Sequence, residues 1–386
     1  MNQPASSAGE PRFVSAATEF PDGPAAEIRR RIAQHGPIGF DEFMAVALYH
    51  PCGGYYASDR TQTGRGGDFF TSVSVGPVFG KLLAAQLVEM REQLENPDDF
   101  TLVEQGAHDG QLLADILSAW SGPLPRVLIV EPLPGLRTRQ RQTLAPWSDH
   151  LTHVAHENEL PPFTGVFFAN ELLDAFPVKI LVRNEAIWHE RRVDHDGTNF
   201  VFVDAPWSGE APDVPEEIPH FVTEVCPSLA PWLQTVASRM QRGWLLLIDY
   251  GHPAAIRHQP ARAAGTLTAY RGHQRLDDPL TDPGSQDLTA HVDFTAVARA
   301  AERAGLSVAG FTDQHHALTA LAAQIFPDMP DTRLTAAAAR EMRALRQLLH
   351  PESMGTSFKF LALAKKSTAP LTAFRFARDA RSKLFV

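Results

Sequence analysis

An α/β fold built on a largely parallel sheet is what this 386-residue chain predicts. Three observations carry the prediction. Apolar runs at Phe100 to Glu104, Arg126 to Glu131, Gly165 to Glu171 and Gly243 to Gly251 are continuous rather than alternating, as suits strands covered on both faces. The stretch from Leu102 to Leu112 reads as a strand, a tight glycine turn at Gly106 to Gly110 and a helix start. In open α/β sheets that turn cradles a nucleotide-like ligand. Helical periodicity lies between the runs, most clearly at Phe79, Leu82, Leu83, Leu87, Met90 and Leu94.

Bulk properties narrow the class. Length allows about two or three domain-sized units, and 44% hydrophobic residues allow a large core. A formal net charge of -10 argues against nucleic-acid binding, which needs a basic surface. It stays compatible with a basic protein partner. The two cysteines, Cys52 and Cys226, make neither a disulfide framework nor a zinc site. No metal and a cytoplasmic location are therefore expected. No apolar stretch approaches the roughly 20 residues of a spanning helix, so no membrane insertion is expected. The sequence sets no oligomeric state.

In chain order, residues 1–23 read as a disordered lead-in without a signal core or transit-peptide pattern. Residues 24–97 form an N-terminal helical and lid region, with helices at Ala25 to Gln34 and Phe40 to Tyr49, a Gly-rich loop and the periodic helix above. The core is assigned to 98–177 and 242–366, ending with a strand at Phe358 to Leu363. Between its halves lies an insertion, 178–241. It comprises a β-meander (Val178 to Val182, Ala186 to Val193, Asn199 to Val203), a Pro- and Glu-rich loop and the helix Leu229 to Gln241. Pro253 to Pro283 reads as a long loop, and 367–386 as a basic tail.

The turn then selects a cofactor. A dinucleotide turn reads G-x-G-x-x-G, whereas this one places Gly106 and Gly110 around His108, with Glu104 two residues before the first glycine. That pattern approaches E-x-G-x-G-x-G, the turn of S-adenosylmethionine (SAM) methyltransferases. Glu131, about 20 residues further on at the end of the second strand, stands where a carboxylate accepts the two ribose hydroxyls. Without Glu131, a purely structural turn explains the glycines equally well.

Longer motifs resemble a family. Gly67-Asp68-Phe69-x-Thr71-Ser72, the Glu104 to Leu112 turn, Asn170-Glu171-x-x-Asp174-Ala175-x-Pro177 and Asp249-Tyr250-Gly251 occur in the order of the MidA family. So do Asp287 to Phe294 and Met354-Gly355-x-x-Phe358-Lys359. That family includes the mitochondrial complex I assembly-factor methyltransferase, and the resemblance runs from about Gly36 to Leu363. It implies a class I, Rossmann-like SAM-methyltransferase fold and methyl transfer to a protein arginine, in mitochondrial members on a complex I subunit. His108 and Asp109 depart from the family turn. A Cβ at 108 crowds the ligand, while an imidazole there reaches a ligand carboxylate.

The candidate residues follow. For the cofactor they are Glu104, Gly106, Ala107, His108, Gly110, Leu112, Glu131 and Pro132, with Gly67, Asp68, Phe69 and Thr71 folding over it as a lid or forming a plain tight turn. Arginine is a poor nucleophile because its pKa exceeds about 12, so carboxylates must orient its fork of N–H groups and help it lose a proton. Glu171 and Asp174 are assigned that role, and Asn170 contacts cofactor or target nitrogen. The structural alternative makes Asp174 a cap and Glu171 a solvated loop residue. Asp249, Tyr250 and His291 line the substrate entrance, although Asp249 equally suits capping a turn. His150, His153 and His156 read as a solvated cluster in a loop. Competing readings are a NAD-type oxidoreductase, a binding-only assembly factor on the same fold, and methylation of a small molecule.

Overall fold

The structure, a computed structural model, describes residues 22–57, 72–215, 218–272, 274–326, 335–377 and 380–385. The lead-in up to residue 21 and the lid candidates Gly67, Asp68, Phe69 and Thr71 lie outside them.

The apolar runs assemble into one large sheet. Its strands, numbered along the chain, are β1 (Thr101–Gln105), β2 (Arg126–Val130), β3 (Leu151–Val154), β4 (Phe163–Asn170), β5 (Met240–His252), β6 (Ser307–Asp313) and β7 (Phe358–Lys365). They lie in the order β6-β7-β5-β4-β1-β2-β3. All are parallel except β7, which runs against both β5 and β6. The chain steps outward from β1 to β3, then returns to place β4 on the other side of β1. The order therefore reverses between β1 and β4. Connections leaving such neighbours diverge to opposite faces, and ligands bind in the resulting crevice at the carboxyl ends of the strands.

Helices cover both faces. On one, α3 (Val78–Gln93), α4 (Gln111–Ser118) and the Gln314–Ile325 helix pack Phe79, Leu83, Leu113, Ile116 and Leu318 against Phe168, Trp244 and Phe360. On the other, α6 (Leu229–Arg239) and the Phe294–Arg303 helix pack Trp232, Leu233, Val236 and Val297 against Phe167, Leu245 and Leu361. Burial on both faces is why these strands lack alternation.

A second body sits over the crevice. Helices α1 (Gly23–His35) and α2 (Phe40–Tyr49) bury Ile28, Phe40, Phe43 and Met44 against Ile180, Val182 and Val193 of the inserted meander. The meander is a five-stranded antiparallel sheet of Lys179–Asn184, Ile187–His195, Phe200–Pro206, His220–Val225 and the short Ile38–Gly39. The N-terminal segment is thus shared out: α1 and α2 belong to the meander, and α3 to the large sheet. The insertion is shared likewise, since α6 packs on the large sheet.

Several expectations need correction. Pro253 to Pro283 is not one long loop. It holds the Ala254–Arg257 helix and the strands Thr268–Arg271 and Gln274–Leu276; Thr268–Arg271 pairs with both Gln274–Leu276 and Asp287–Thr289 to make a three-stranded sheet. Strands of three or four residues are too short for a period to show. His153 is not in a loop but in edge strand β3. The tail, for which the sequence left docking on the body or on a partner open, packs on the body: Ala373, Phe374 and Leu384 are buried, and Thr295 Oγ1 donates to the Leu384 carbonyl at 2.7 Å.

One buried ion pair ties the two bodies. Arg257 Nη2 donates to Glu224 Oε2 at 2.5 Å, with both side chains almost fully buried. Glu224 also accepts from the Thr266 and Leu267 N–H groups at 2.7 and 3.0 Å. Burial would raise its pKa, but Arg257 and these donors hold it below the ordinary value. Removing Arg257 leaves an uncompensated buried charge, so Arg257→Met is expected to cost about 3–5 kcal/mol in urea unfolding. A change below about 1 kcal/mol would contradict this.

Candidate functional site at the sheet crossing point

The bend after β1 forms the first wall. Gly106, His108 and Gly110 have φ of 80°, 47° and 86°, a left-handed conformation that L side chains disfavour. A Cβ on Gly106 would lie 3.1 Å from Leu172 Cδ1, so glycine lets the β4 loop pack on the bend. Ala107 and Leu112 are buried beneath it, and Gly110 starts α4. Glu104 is 2% exposed, and its Oε2 has no partner among the described residues. Burial, then the Asp109 charge, push its pKa up to about 8. Both ring nitrogens of His108 are buried without a hydrogen-bond partner among the described residues, with Nδ1 3.8 Å from Asp109 Oδ1.

Glu131, just past β2, forms the second wall. It is 4% exposed. Oε1 accepts from Leu133 N–H at 2.9 Å, and Oε2 from Gln140 Nε2 at 3.1 Å. Burial raises its pKa to about 7, against the lowering effect of those two donors. The next residue, Pro132, is exposed.

The loop after β4 forms the floor. Glu171 takes a left-handed φ of 53°, and its N–H donates to the Ile248 carbonyl at 2.9 Å. Asn170 Nδ2 donates to Glu171 Oε1 at 3.0 Å, leaving Asn170 Oδ1 buried without a partner among the described residues. Burial, then Asp174, push Glu171 up to about 8. Asp174 is 6% exposed and accepts from Tyr250 Oη at 2.5 Å through Oδ2, while Oδ1 has no partner among the described residues. Burial raises its pKa too.

Asp249 faces inward and braces this loop. Oδ2 accepts from the N–H groups of Leu172, Leu173 and Asp174 at 3.1, 2.8 and 3.3 Å. Oδ1 accepts from its own Tyr250 N–H at 2.9 Å. Burial, then Asp174 and Glu171, push Asp249 well above the usual carboxylate range, and the four N–H donors offset part of that. The His291 ring lies 5.4 Å from the Tyr250 ring. Burial, then Arg257, push its pKa down to about 4, so it is neutral at pH 7.

The bend, Glu131, the Asn170 to Asp174 loop, Asp249, Tyr250 and His291 therefore all gather at the carboxyl ends of β1, β2, β4 and β5. Three contributors were not singled out from the sequence. Tyr49 Oη donates to the Ala175 carbonyl at 2.8 Å, and Tyr56 Oη to Asp287 Oδ1 at 3.1 Å. Gln140 is fully buried behind Glu131. Tyr49 and Tyr56 stack at 5.5 Å and bring the second body onto the segment after β4. Only the position of Asp287 within a family motif hinted at any of them.

These residues fit an adenosyl sulfonium ligand. Glu104 and Glu131 are buried acids with no ion pair among the described residues, and such a charge is stable only when something neutralises or hydrogen-bonds it. Ribose hydroxyls suit Glu131, and the ammonium of the amino-acid end suits Glu104.

Comparison with known proteins gives the same answer. A family model described as "Putative S-adenosyl-L-methionine-dependent methyltransferase" matches residues 82–312. The chain belongs to this family. It is a SAM-dependent methyltransferase, and the NAD-type alternative falls. It is 28% identical to the mitochondrial protein arginine methyltransferase NDUFAF7 of Xenopus laevis, over 87% of this chain and 83% of that protein. With the Drosophila melanogaster homolog of the same name it shares 30%, over 88% and 84%. A Burkholderia thailandensis protein solved with S-adenosyl-homocysteine superposes with a TM-score of 0.82 at 30% identity, covering 92% of this chain and 94% of that one. The resemblance to the MidA family and the class I fold are thereby borne out.

The cytoplasmic location is overturned: these curated relatives are named as mitochondrial proteins. Two free thiols report a reducing compartment, and that property is not confined to the cytoplasm. Among the described residues, no helix is long and apolar enough to cross a membrane.

The raised pKa of Glu104 has a stability consequence. Its contribution is present below the ordinary carboxylate pKa and is lost as pH rises through about 8. Glu104→Gln is therefore expected to stabilise the ligand-free protein more at pH 8.5 than at pH 5, by at least about 1 kcal/mol in urea unfolding. An equal effect at both pH values would contradict it.

Proposed function

We propose that this chain methylates an arginine side chain of a protein, with a respiratory complex I subunit as the acceptor. One observation carries the reading: Glu171 and Asp174 are neighbouring carboxyls on the loop after β4 with no cation beside them among the described residues. A guanidinium supplies the missing charge and presents a planar fork that matches carboxylates. The relatives' names, protein arginine methyltransferases, support the same acceptor. A complex I subunit follows from the resemblance to complex I assembly-factor methyltransferases.

When bound, the cofactor supplies a methyl group on a cationic sulfur. Glu171 and Asp174 hold the guanidinium so that one nitrogen faces that carbon in line with the carbon–sulfur bond. As the nitrogen–carbon bond forms and the carbon–sulfur bond breaks, the nitrogen loses a proton. Glu171 accepts it: a carboxyl pushed to about 8 by burial binds protons near neutral pH. Before transfer the arriving cation favours its ionised form. Asp174, held by Tyr250, stays an acceptor and orients the fork. Asp249 positions both by fixing the loop, and Tyr250 with His291 walls the entrance. Asn170 Oδ1 is left to accept from the target nitrogen or the cofactor.

Glu171→Gln is expected to lower kcat about 10²- to 10³-fold while the Kd for S-adenosylhomocysteine changes less than about threefold. Unchanged turnover would remove Glu171 from the mechanism. For the acceptor, mass spectrometry of cells with and without the gene is expected to show loss of methylarginine from a complex I subunit. Identical methylation in both would overturn that acceptor.

A further inference from the structure

Gln140 is a fully buried polar group that the chemistry above does not use. It lies on helix α5 (Pro134–Thr143), a polar helix whose buried positions are Leu136 and Gln140. The side chain is fully buried, so its amide must find partners for two N–H groups and a carbonyl. It finds them all. Nε2 donates to the His108 carbonyl at 2.9 Å and to Glu131 Oε2 at 3.1 Å. Oε1 pairs with His153 Nε2 at 3.1 Å.

The network fixes its own polarity. Two acceptors face Nε2, so the flipped amide would set oxygen against oxygen twice. With Oε1 thereby an acceptor, His153 must carry its proton on Nε2. Burial, then Arg141, lower the His153 pKa, so the ring is a neutral donor at pH 7. Protonation at lower pH would leave this Nε2–H in place.

The same amide thus reaches both halves of the cofactor wall. One N–H grips the peptide of His108, the non-glycine residue held left-handed at the middle of the bend. The other grips the Glu131 oxygen across the crevice from it. We propose that Gln140 is a positioning residue that sets the spacing between the bend and the ribose-binding carboxylate by holding the His108 carbonyl and Glu131 Oε2 with one amide, with His153 orienting that amide from behind. The proposal rests on the reading that the bend and Glu131 hold the cofactor.

The physical consequence is a pH signature. A hydrogen bond donated to the ionised form favours that form. Ribose hydroxyls donate, so they bind ionised Glu131 best. Burial holds Glu131 up at about 7, against the lowering effects of the Leu133 N–H, the Gln140 amide, Arg137 on the same helix and His108 on the bend. Losing the contact raises its pKa and moves the rise of affinity with pH upward.

The test is calorimetry of the full chain with S-adenosylhomocysteine between pH 6 and 9. The wild type is expected to bind more tightly as pH rises through about 7, and Glu131→Gln to flatten the contribution of that residue. Gln140→Met, close in size and without the amide, is expected to weaken binding at pH 7 by about tenfold and to move the midpoint upward. Gln140→Glu sets a carboxylate against Glu131 Oε2 and should move the midpoint further, because a like charge raises the pKa again. If one variant does not fold, the other carries the test. His153→Phe, which frees the far end of the amide, is expected to weaken binding less than Gln140→Met.

Wild-type protein that fails to bind S-adenosylhomocysteine would sink the cofactor reading itself. Wild-type protein that binds with the stated pH dependence, beside a folded Gln140 variant with the same midpoint and an affinity within about twofold, would overturn the role of Gln140 alone.

Discussion

Carboxyls buried without a cation are the constraint on which the rest of this molecule depends. Glu224 shows the ordinary solution: almost fully buried, it is matched by Arg257 and two backbone N–H groups, and it ionises readily. Glu104 and Asp174 are buried as deeply or nearly so, and Glu171 is partly buried beside Asp174, yet no basic side chain pairs with them among the described residues. An acid in that position resists ionisation until a partner arrives. In the first case the charge is used to hold the fold. In the second no side chain among the described residues supplies the balancing charge.

The fold explains why these acids sit together. The sheet order reverses between β1 and β4, so the loops after those strands turn to opposite faces and leave a crevice at their carboxyl ends. Glu104 closes β1, Glu131 follows β2, Asn170 closes β4, and Asp249 lies near the end of β5. Asp249 then spends its lone pairs on four backbone N–H groups. That acceptor set gives the strained loop at Glu171 one shape. From the other side, Tyr49 of α2 fastens the second body to the Ala175 carbonyl. The meander and the two N-terminal helices, which share no strand with the large sheet, thus become the outer wall of its crevice.

Much of this was legible in the sequence, because the signals are local. Continuous apolar runs marked β1, β2, β4, β5 and β7, and the glycine turn with Glu131 at its distance marked two neighbouring walls of the crevice. What remained hidden depends on contacts across long separations. Edge strand β3 is only partly buried and carries His153, so it has no apolar run to read. The three-stranded sheet is made of segments of three and four residues. Gln140 lies on a helix of almost wholly polar sequence, and only the packed structure shows that its amide is buried. Tyr56 meets Asp287 across 231 residues of chain. Cysteine usage pointed to a reducing environment and could not choose among compartments.

The most direct measurement is a crystal structure with S-adenosylhomocysteine. The account predicts the ribose hydroxyls on Glu131, the amino-acid end above the Gly106 to Gly110 bend near Glu104, and the sulfur facing Glu171 and Asp174. A bend left vacant, or filled by the His108 ring with the ligand bound elsewhere, would contradict it.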